Sequence, residues 1–277
     1  MSKLLSANFM RLRKSKAFWV CAISTLLLSA AMMYMGSGWA RTAAERGYPR
    51  AMDTYFFQPA PYTGAIIAVF ISLFLGAEYS DGTMRNKVIV GHTRVSIYLS
   101  NLLTCSTVGA ILTVLWFLGG LPGLYLIGPF EMGFSGAITY FFVAIGTALA
   151  FTAIFVWVSM LSQNKAVTVV LALVLWVALI VIGSGVNDRL AEPEFNGGMA
   201  FIDGEFVMMG DTPNPLYLTG TVRTVFQLLQ AVLPTSQAIA MANAEITMPA
   251  PCIAASLFLF IIITAVGVFL FHRKDLK

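Results

Sequence analysis

AVTVVLALVLWVALIVIG, residues 166–183, is the run from which the architecture of this chain follows, because it contains no Asp, Glu, Lys, Arg or His. A bilayer has a hydrocarbon core about 30 Å thick, and a helix that rises roughly 1.5 Å per residue crosses it in about 20 residues. The run therefore predicts a membrane-spanning helix.

Five further runs of the same kind carry no charged residue and no histidine. They span residues 17–38, 60–77, 97–121, 135–161 and 251–271. The composition agrees, since 58% of the 277 residues are hydrophobic, 11% are charged and the mean hydropathy is +0.81. These values exclude most soluble classes of protein. We predict an all-α polytopic membrane protein with six transmembrane helices, in which residues 1–277 form one membrane domain.

The positive charges indicate how the chain is oriented, because cytoplasmic segments carry an excess of Lys and Arg. With both termini inside, twelve of the seventeen basic residues are cytoplasmic, namely Lys3, Arg11, Arg13, Lys14, Lys16, Arg85, Lys87, Arg94, Lys165, Arg273, Lys274 and Lys277. The other five are Arg41, Arg46, Arg50, Arg189 and Arg223. We expect a multi-pass protein of the cell membrane with cytoplasmic N- and C-termini. The run at 17–38 exceeds the 7 to 15 residues typical of a signal-peptide core, so it is expected to be retained.

Residues 1–16 fit an amphipathic helix on the cytoplasmic leaflet. Leu5, Phe9 and Leu12 follow one another at helical spacing. The basic residues of this predicted inner-leaflet helix lie elsewhere on it, at Arg11, Arg13 and Lys14. A plain basic flank is the alternative interpretation.

The longest segment between runs is the outer segment, residues 186–250. It begins irregularly, and prolines and glycines are expected to break any long regular element in it, at Pro193, Gly197, Gly198, Pro213 and Pro215. From Thr221 the apolar residues recur at helical spacing, while Arg223, Gln227 and Gln230 share another face. This pattern predicts an amphipathic helix that ends at Pro234 and a second helix from Thr235, as N-cap, toward Ala244. The two helices either lie in the outer interface and dip into it, or form a small extracellular cap.

Residues 76–94 have the pattern of a short capped helix on the cytoplasmic side. Asp81 is expected to cap it, Gly91 to end it in the left-handed conformation, and Thr93 to cap the third span. The predicted polar face is Arg85, Asn86 and Lys87, and the predicted apolar face, toward the bundle or a partner's groove, is Met84, Val88 and Ile89. Considered alone, the segment is equally compatible with a solvated loop.

Three stretches resemble the type-2 ATP-binding-cassette (ABC) permeases, the transmembrane subunits of ABC exporters. The first is Glu78-Tyr-Ser-Asp81-Gly82-Thr83-Met84-Arg85-Asn86-Lys87 with Gly-His-Thr-Arg94, which is similar to the segment between spans two and three of that family. The second is Asn214-Pro215-Leu-Tyr217-Leu-Thr-Gly220 with Val-Leu-Pro234-Thr-Ser-Gln237, which resembles the family's outer segment. The third is the short end from Phe271 to Lys277.

The resemblance implies a permease subunit that exports a hydrophobic or amphipathic substrate, such as a drug, an antimicrobial peptide or a lipid-like molecule. It implies a second permease chain, identical or different, and two cytoplasmic ATPase subunits that bind ATP and magnesium. The implied ATPase contact comprises Glu78, Asp81, Gly82, Thr83, Met84, Arg85, Asn86 and Lys87. Glu78 is further expected to pair with Arg11 or Arg13. The implied outer gate region comprises Asn214, Pro215, Tyr217, Gly220, Pro234 and Gln237.

The chain itself lacks the motif by which a P-loop cradles ATP, since no G-x-x-x-x-G-K-[ST] occurs. A secondary transporter or channel, uncoupled from ATP, is the alternative, but ion coupling normally places carboxylates or histidines within the spans. An enzyme is not expected, because there is no HExxH and both histidines lie at the cytoplasmic boundary. Cys21, Cys105 and Cys252 lack metal-ligand spacing, so no cofactor or metal is expected on this chain.

Overall fold

A computed structural model describes residues 1–48, 51–162, 164–202, 205–246 and 248–274, with side chains described outside 198–211. In chain order the elements are α1 (Ser2–Lys14), α2 (Lys16–Glu45), α3 (Asp53–Phe56), α4 (Ala60–Ser80), α5 (Thr83–Ile89), α6 (Arg94–Gly120), α7 (Gly123–Leu126), α8 (Gly133–Leu161), α9 (Lys165–Ala191), β1 (Phe195–Ile202), β2 (Glu205–Pro213), α10 (Gly220–Val232), α11 (Pro234–Ala242) and α12 (Pro249–Arg273). Arg50, Gln163, Asp203, Asp275 and Lys277 lie outside the described residues.

Within the described ranges, six helices are long and apolar enough to cross a membrane, namely α2, α4, α6, α8, α9 and α12. Each run without charge lies inside one of these helices to within one residue. The prediction of an all-α polytopic membrane protein with six spans is therefore confirmed.

The centre of the bundle is formed by α4, α6 and α8, and the other spans surround them. The buried share of the apolar window is 67% in α8 and 11% in α12. The interior is rich in aromatic rings, and Phe70, Phe74, Phe151 and Phe155 are all buried there in stacked pairs. The exposed surfaces of α9 and α12 carry large apolar side chains, as expected of helices that face lipid.

Close approach of α2 to α6 depends on Gly119. A Cβ atom at this position would lie 2.6 Å from the carbonyl oxygen of Leu26 and 2.9 Å from the Cβ of Ser29. The backbone of α2 cannot move away without opening the interface, so only glycine fits at this crossing. Ser29 also donates a hydrogen bond to the Trp116 carbonyl at 2.6 Å across the same interface.

Substitution of Gly119→Ala is expected to lower the free energy of unfolding by about 1–3 kcal/mol, the usual cost of an overpacked interior. Gly38→Ala is the matched control, because a Cβ there would meet nothing within 4 Å. The control is expected to be neutral or slightly stabilising, since alanine favours helix over glycine. The unfolding midpoints of the two variants in detergent, measured by size-exclusion chromatography after heating, test this difference. Equal midpoints would show that Gly119 does not set the distance between α2 and α6.

The elements outside the spans gather at two ends of the bundle. The end that holds α1, α5 and the last turn of α12 is called the basic end here, because every described residue of the predicted cytoplasmic set of Lys and Arg belongs to it. The other end, which holds the strands and α10, is called the hairpin end.

The prediction that the start of the outer segment is irregular is wrong. β1 and β2 form an antiparallel hairpin in which Phe195 pairs with Pro213 and Ile202 with Glu205. The register is interrupted once, between Asn196 and Gly198, where β2 has one residue more than β1, as in a β-bulge. The sequence carries a signal for this hairpin, since Asp-Gly at 203–204 is a dipeptide typical of two-residue hairpin turns.

The helices of the outer segment enter the bundle as a re-entrant pair. α10 and α11 meet at an angle of 96°, with only Leu233 between them. α11 packs against α4, α8 and α9, and most of its residues are buried. Pro234 is the first residue of α11, so the expected N-cap role of Thr235 is wrong. The Thr235 hydroxyl instead donates to the Leu179 carbonyl at 2.6 Å, which fastens α11 to α9.

The N-terminal helix α1 presents a different face from the expected one. Its buried residues are Leu4, Asn8 and Leu12, and Phe9 is exposed. Leu12 follows both Leu4 and Asn8 and Leu5 and Phe9 at spacings of three or four residues. The periodicity alone therefore did not distinguish the face with Leu4 from the face with Leu5. The difference matters because the true face carries the polar residue Asn8 toward α6.

Candidate functional site

The short helix α5 at the basic end is defined by glycines on both sides. Gly82 has a φ of +67° and occupies the N-cap, so the expected capping role of Asp81 is wrong. Gly91, with a φ of +94°, ends the helix as expected, and its N–H donates to the Val88 carbonyl at 3.0 Å. Thr93 caps the next helix as expected, accepting a hydrogen bond from the Ser96 N–H at 3.2 Å.

A buried ionic cluster, made of Asn8, Arg11, Glu78, Lys87 and Asn101, joins α5 to three other helices. The carboxylate of Glu78 pairs with both Arg11 of α1 and Lys87 of α5. Its second oxygen accepts a hydrogen bond from the Asn101 amide of α6 at 3.1 Å. Asn8 donates to the Asn101 side-chain oxygen at 2.8 Å and accepts from Lys87 at 3.3 Å. The cluster thus ties α1, α4, α5 and α6 together.

The charges of this cluster depend on one another because they are removed from water. Glu78 is 1% exposed and the Lys87 side chain is 15% exposed. Burial lowers the pKa of Lys87, while the adjacent carboxylate of Glu78 opposes that shift. Among the described residues Glu78 is the sole hydrogen-bond acceptor of Arg11, whose guanidinium lies 3.8 Å from the Phe74 ring centroid. Arg11 is therefore the partner of Glu78, whereas Arg13 and Lys14 are exposed.

The structure divides the residues predicted to contact an ATPase into two groups. Glu78, Met84 and Lys87 point inward, so the expectation that they belong to the exposed polar face or the contact surface is corrected. Their burial has a physical reason, since Lys87 neutralises Glu78 and Met84 packs in the main apolar core. The exposed group is Asp81, Thr83, Arg85 and Asn86, with Gly82 partly exposed beside it.

Two apolar side chains extend the exposed face of α5. Ile89 is 69% exposed and Val90 is 77% exposed, immediately before Gly91. Ile89 was predicted to face the bundle or a partner's groove, and the structure turns it away from the bundle. We call Asp81, Thr83, Arg85, Asn86, Ile89 and Val90 the α5 surface. It combines both signs of charge with an apolar tip, a composition that suits a protein partner.

The last turn of α12 is fastened to the basic end by two cations. Arg94 donates to the His272 carbonyl at 3.1 Å and also to that of Lys274. Lys274 in turn donates to the Met160 carbonyl at 2.9 Å, at the end of α8. Burial lowers the pKa of Lys274 to about 8. Cations at these carbonyl ends also complement the helix dipoles of α8 and α12.

At the hairpin end, Gln237 of α11 has its side-chain amide fully paired inside the bundle. Its oxygen accepts from Thr147 of α8 at 2.7 Å and from Ser256 of α12 at 3.0 Å. Its nitrogen donates to the carbonyls of Cys252, at 3.2 Å, and of Ala231. Gln237 is 0% exposed, so it connects α8, α10, α11 and α12 at a site closed to bulk solvent.

The other residues predicted for the outer gate region lie in two places. Pro234 starts α11 near Gln237, whereas Asn214, Pro215 and Tyr217 lie between β2 and α10, of which Gly220 is the first residue. Asn214 anchors that linker by donating to the Glu192 carboxylate and to the Pro193 carbonyl, both at 2.9 Å. Gly220 begins α10 with a φ of +54°.

A family model described as ABC-2 family transporter protein matches residues 4–179, which is more than half of the chain. The chain belongs to the ABC-2 transporter family. The matched residues contain most of α1, all of α2 to α8, the first half of α9, the ionic cluster and the α5 surface. No curated protein matches the chain.

Membership of the ABC-2 family makes this chain a membrane-spanning subunit of an ABC transporter. Membrane subunits of this family generally partner with ATPase subunits. The sequence resemblance to the family is therefore confirmed, and so is the multi-pass membrane architecture.

Sequence reasoning missed Asn8 and Asn101 as members of the site. Asn101 is uncharged, so a search for charge-free runs did not distinguish it from its apolar neighbours, and Asn8 lies on the face of α1 that was not the predicted one. A signal was present in α6, because a buried amide in a membrane helix needs a partner and marks a polar contact.

Proposed function

We propose that this ABC-2 subunit works in the cell membrane as the permease of an ATP-driven exporter, with its basic end in the cytoplasm. It pairs with a second permease chain and binds two ATPase subunits, which carry the ATP and magnesium. The substrate is hydrophobic or amphipathic, and transport proceeds by alternating access. The excess of Lys and Arg at the basic end supports the orientation.

The observation that carries the proposal is the combination of the α5 surface with the ionic cluster beneath it. The surface offers Arg85, Ile89 and Val90 to solvent at the basic end. Exposed β-branched side chains beside a cation suit a groove on a soluble partner, where burial of apolar area supplies affinity and charge supplies register.

The ionic cluster explains how a push on α5 would reach the spans. Glu78 belongs to the last turn of α4, and its two cations belong to α1 and α5. Separating α5 from α4 would leave buried charges without partners, which costs several kcal/mol. Movement of α5 is therefore transmitted to α4 and, through Asn101, to α6, rather than absorbed in the loop.

Arg85→Glu and Ile89→Ser are each expected to lower stimulation of the ATPase by the permease about tenfold, the loss of roughly one interface hot spot. The test uses the complex purified with its ABC ATPase, which is sought first among the products of neighbouring reading frames. Stimulated hydrolysis and copurification are measured for each variant.

Lys3→Glu and Met10→Ser are the matched controls, because both residues are exposed on α1 at the same end and lie outside the α5 surface. They are expected to leave stimulation unchanged. Normal stimulation by both α5 variants would remove the α5 surface from the contact. Transport by the permease alone along an imposed ion gradient would overturn the proposed function itself.

A further inference from the structure

The helix α10 has its amphipathic faces inverted relative to a helix on a water-exposed surface. Its large exposed side chains are apolar, namely Val222, Val225, Leu228, Leu229 and Val232, and the exposed polar side chains beside them are the short hydroxyls of Thr221 and Thr224. Its polar side chains at Arg223, Gln227 and Gln230 point toward α9. The exposed apolar face continues the lipid-facing surfaces of α9 and α12, against which α10 packs. α10 therefore lies against lipid on one side and borders a polar cavity on the other, which opens to solvent at Glu245.

The cavity has a volume of about 190 Å³. It lies between α9, α10 and Glu245, which follows the end of α11 at Ala242 by three residues. It is far larger than the roughly 10–15 Å³ that a single water molecule requires. Its lining comprises Asn187, Leu190, Ala191, Arg223, Gln227, Gln230 and Glu245. We call it the α10 cavity.

The α10 cavity lies at the depth of lipid head groups. α9 has 27 residues, so at roughly 1.5 Å per residue it exceeds a hydrocarbon core of about 30 Å by about 10 Å. It starts at Lys165, and the next charged residues along it are Asp188 and Arg189. The cavity is lined by the neighbouring residues Asn187, Leu190 and Ala191, near the point where α9 leaves the hydrocarbon.

The wall of the cavity holds polar groups that the described residues leave unmatched. Asn187 and Gln230 satisfy each other in part, through a hydrogen bond of 2.8 Å. Gln227 and the carboxylate of Glu245 make no side-chain hydrogen bond within the described ranges. Arg223 is held in place by the Leu218 carbonyl at 3.4 Å and by the Tyr217 ring, whose centroid lies 5.2 Å away.

Arg223 and Glu245 share this cavity without forming an ion pair with each other, since the ion pairs of the described residues all involve Glu78. One cation and one anion thus face the same space with no net charge. A ligand with both a negative and a positive group matches this arrangement, and a purely anionic ligand would meet the carboxylate of Glu245.

We propose that the α10 cavity binds the head group of a zwitterionic phospholipid that carries a phosphate and a primary ammonium. The guanidinium of Arg223 binds the phosphate, for which its planar donors are suited. Glu245 accepts from the ammonium, and the amides of Gln227 and Gln230 complete the polar contacts. The acyl chains lie along the apolar face of α10. This binding goes beyond the proposed transport function and requires no ATPase.

The test uses the full chain, purified without an ATPase, stripped of lipid and titrated with phosphatidylethanolamine or phosphatidylglycerol under native mass spectrometry. Phosphatidylethanolamine is expected to bind about tenfold more tightly, the difference of roughly one charge-assisted hydrogen bond. Glu245→Gln is expected to abolish this preference, and Arg223→Gln to weaken both lipids about tenfold.

Arg189→Gln and Glu194→Gln are the matched controls, because they remove the same charges at the same end outside the cavity lining. They are expected to leave the preference intact. Arg223 and Glu245 both reach solvent, so their substitutions are expected to leave the fold intact. Gln227→Leu is a third cavity variant, which leaves the charge unchanged and is expected to weaken the binding of both lipids.

Equal binding of the two lipids, or a preference that persists in Glu245→Gln, would overturn the proposal. Soluble phosphoethanolamine is the remaining arm. If it bound as tightly as the lipid, the apolar face of α10 would contribute nothing and a lipid would be the wrong occupant. None of these outcomes depends on ATPase coupling, so failure here is distinguishable from failure of the proposed function.

Discussion

Replacement of Glu78 by glutamine is expected to lower the free energy of unfolding by about 3–5 kcal/mol, the usual cost of breaking a buried ion pair from one side. Two cations lose their counter-ion, because Arg11 and Lys87 both pair with this carboxylate. The Lys87 side chain is 15% exposed and gains little water in exchange, whereas the Arg11 side chain is 33% exposed and is partly hydrated, so the lower end of this range applies to the Arg11 pair. Thermal unfolding of the purified protein in detergent measures the change, and coupled hydrolysis is expected to be lost with it.

Asp81→Asn is the matched control, since Asp81 is an exposed carboxylate three residues away at the same end. Its effect is expected to remain within about 0.5 kcal/mol, as for most surface substitutions. Adding Lys87→Met to Glu78→Gln should recover part of the loss by removing one unpaired cation. Exchanging the charges of Glu78 and Arg11 should recover less, because Lys87 would then face the new arginine. An unchanged unfolding midpoint in Glu78→Gln would show that the cluster does not hold these helices together.

Gln237→Leu is expected to lower the free energy of unfolding by about 2–3 kcal/mol, because it leaves buried donors and acceptors without partners. Ser256 loses its acceptor and the Ala231 carbonyl loses its side-chain donor, whereas the Cys252 carbonyl keeps its backbone donor within α12. Thr147 suffers less, since its hydroxyl also donates to the Val143 carbonyl at 2.9 Å. The re-entrant pair should loosen from α8 and α12, which limited proteolysis at the hairpin end would detect together with the unfolding midpoint.

Gln227→Leu is the control for this substitution. Both substitutions replace a glutamine of the re-entrant pair by leucine. Gln227, however, is only partly buried and makes no side-chain hydrogen bond among the described residues. Its unfolding midpoint is expected to stay near that of the unmodified protein. Equal destabilisation by the two substitutions would mean that the hydrogen bonds of Gln237 do not set the position of α11.

The spans could be predicted from the sequence because the constraint that defines them is local. A helix in lipid satisfies its own backbone and excludes charge, so a run without charge identifies it. The ends of α5 were predictable in part for a similar reason, as Gly91 and Thr93 act on the residues beside them. Asp81 was misassigned because Gly82 already supplies the turn into α5.

The ionic cluster was predictable only in outline. Glu78 was expected to find a cation on the N-terminal helix, but a choice between Arg11 and Arg13 depends on the rotation of α1 against α6. Leu4 and Leu5 fit the periodicity equally well, and only packing selects the face that carries Asn8. The inward turn of Lys87 likewise depends on a carboxylate nine residues earlier, at a distance set by the tertiary fold.

The threading of α11 among the spans has a consequence for biogenesis. The ribosome delivers α11 before α12, yet α12 supplies Ser256 and the Cys252 carbonyl that pair with Gln237. Until the last helix leaves the translocon, this amide lacks half of its partners, although α11 already has its contacts with α4, α8 and α9. We therefore expect closure of the hairpin end to be among the final steps of membrane insertion, and a nascent chain that stops short of residue 249 to retain an unpaired buried amide.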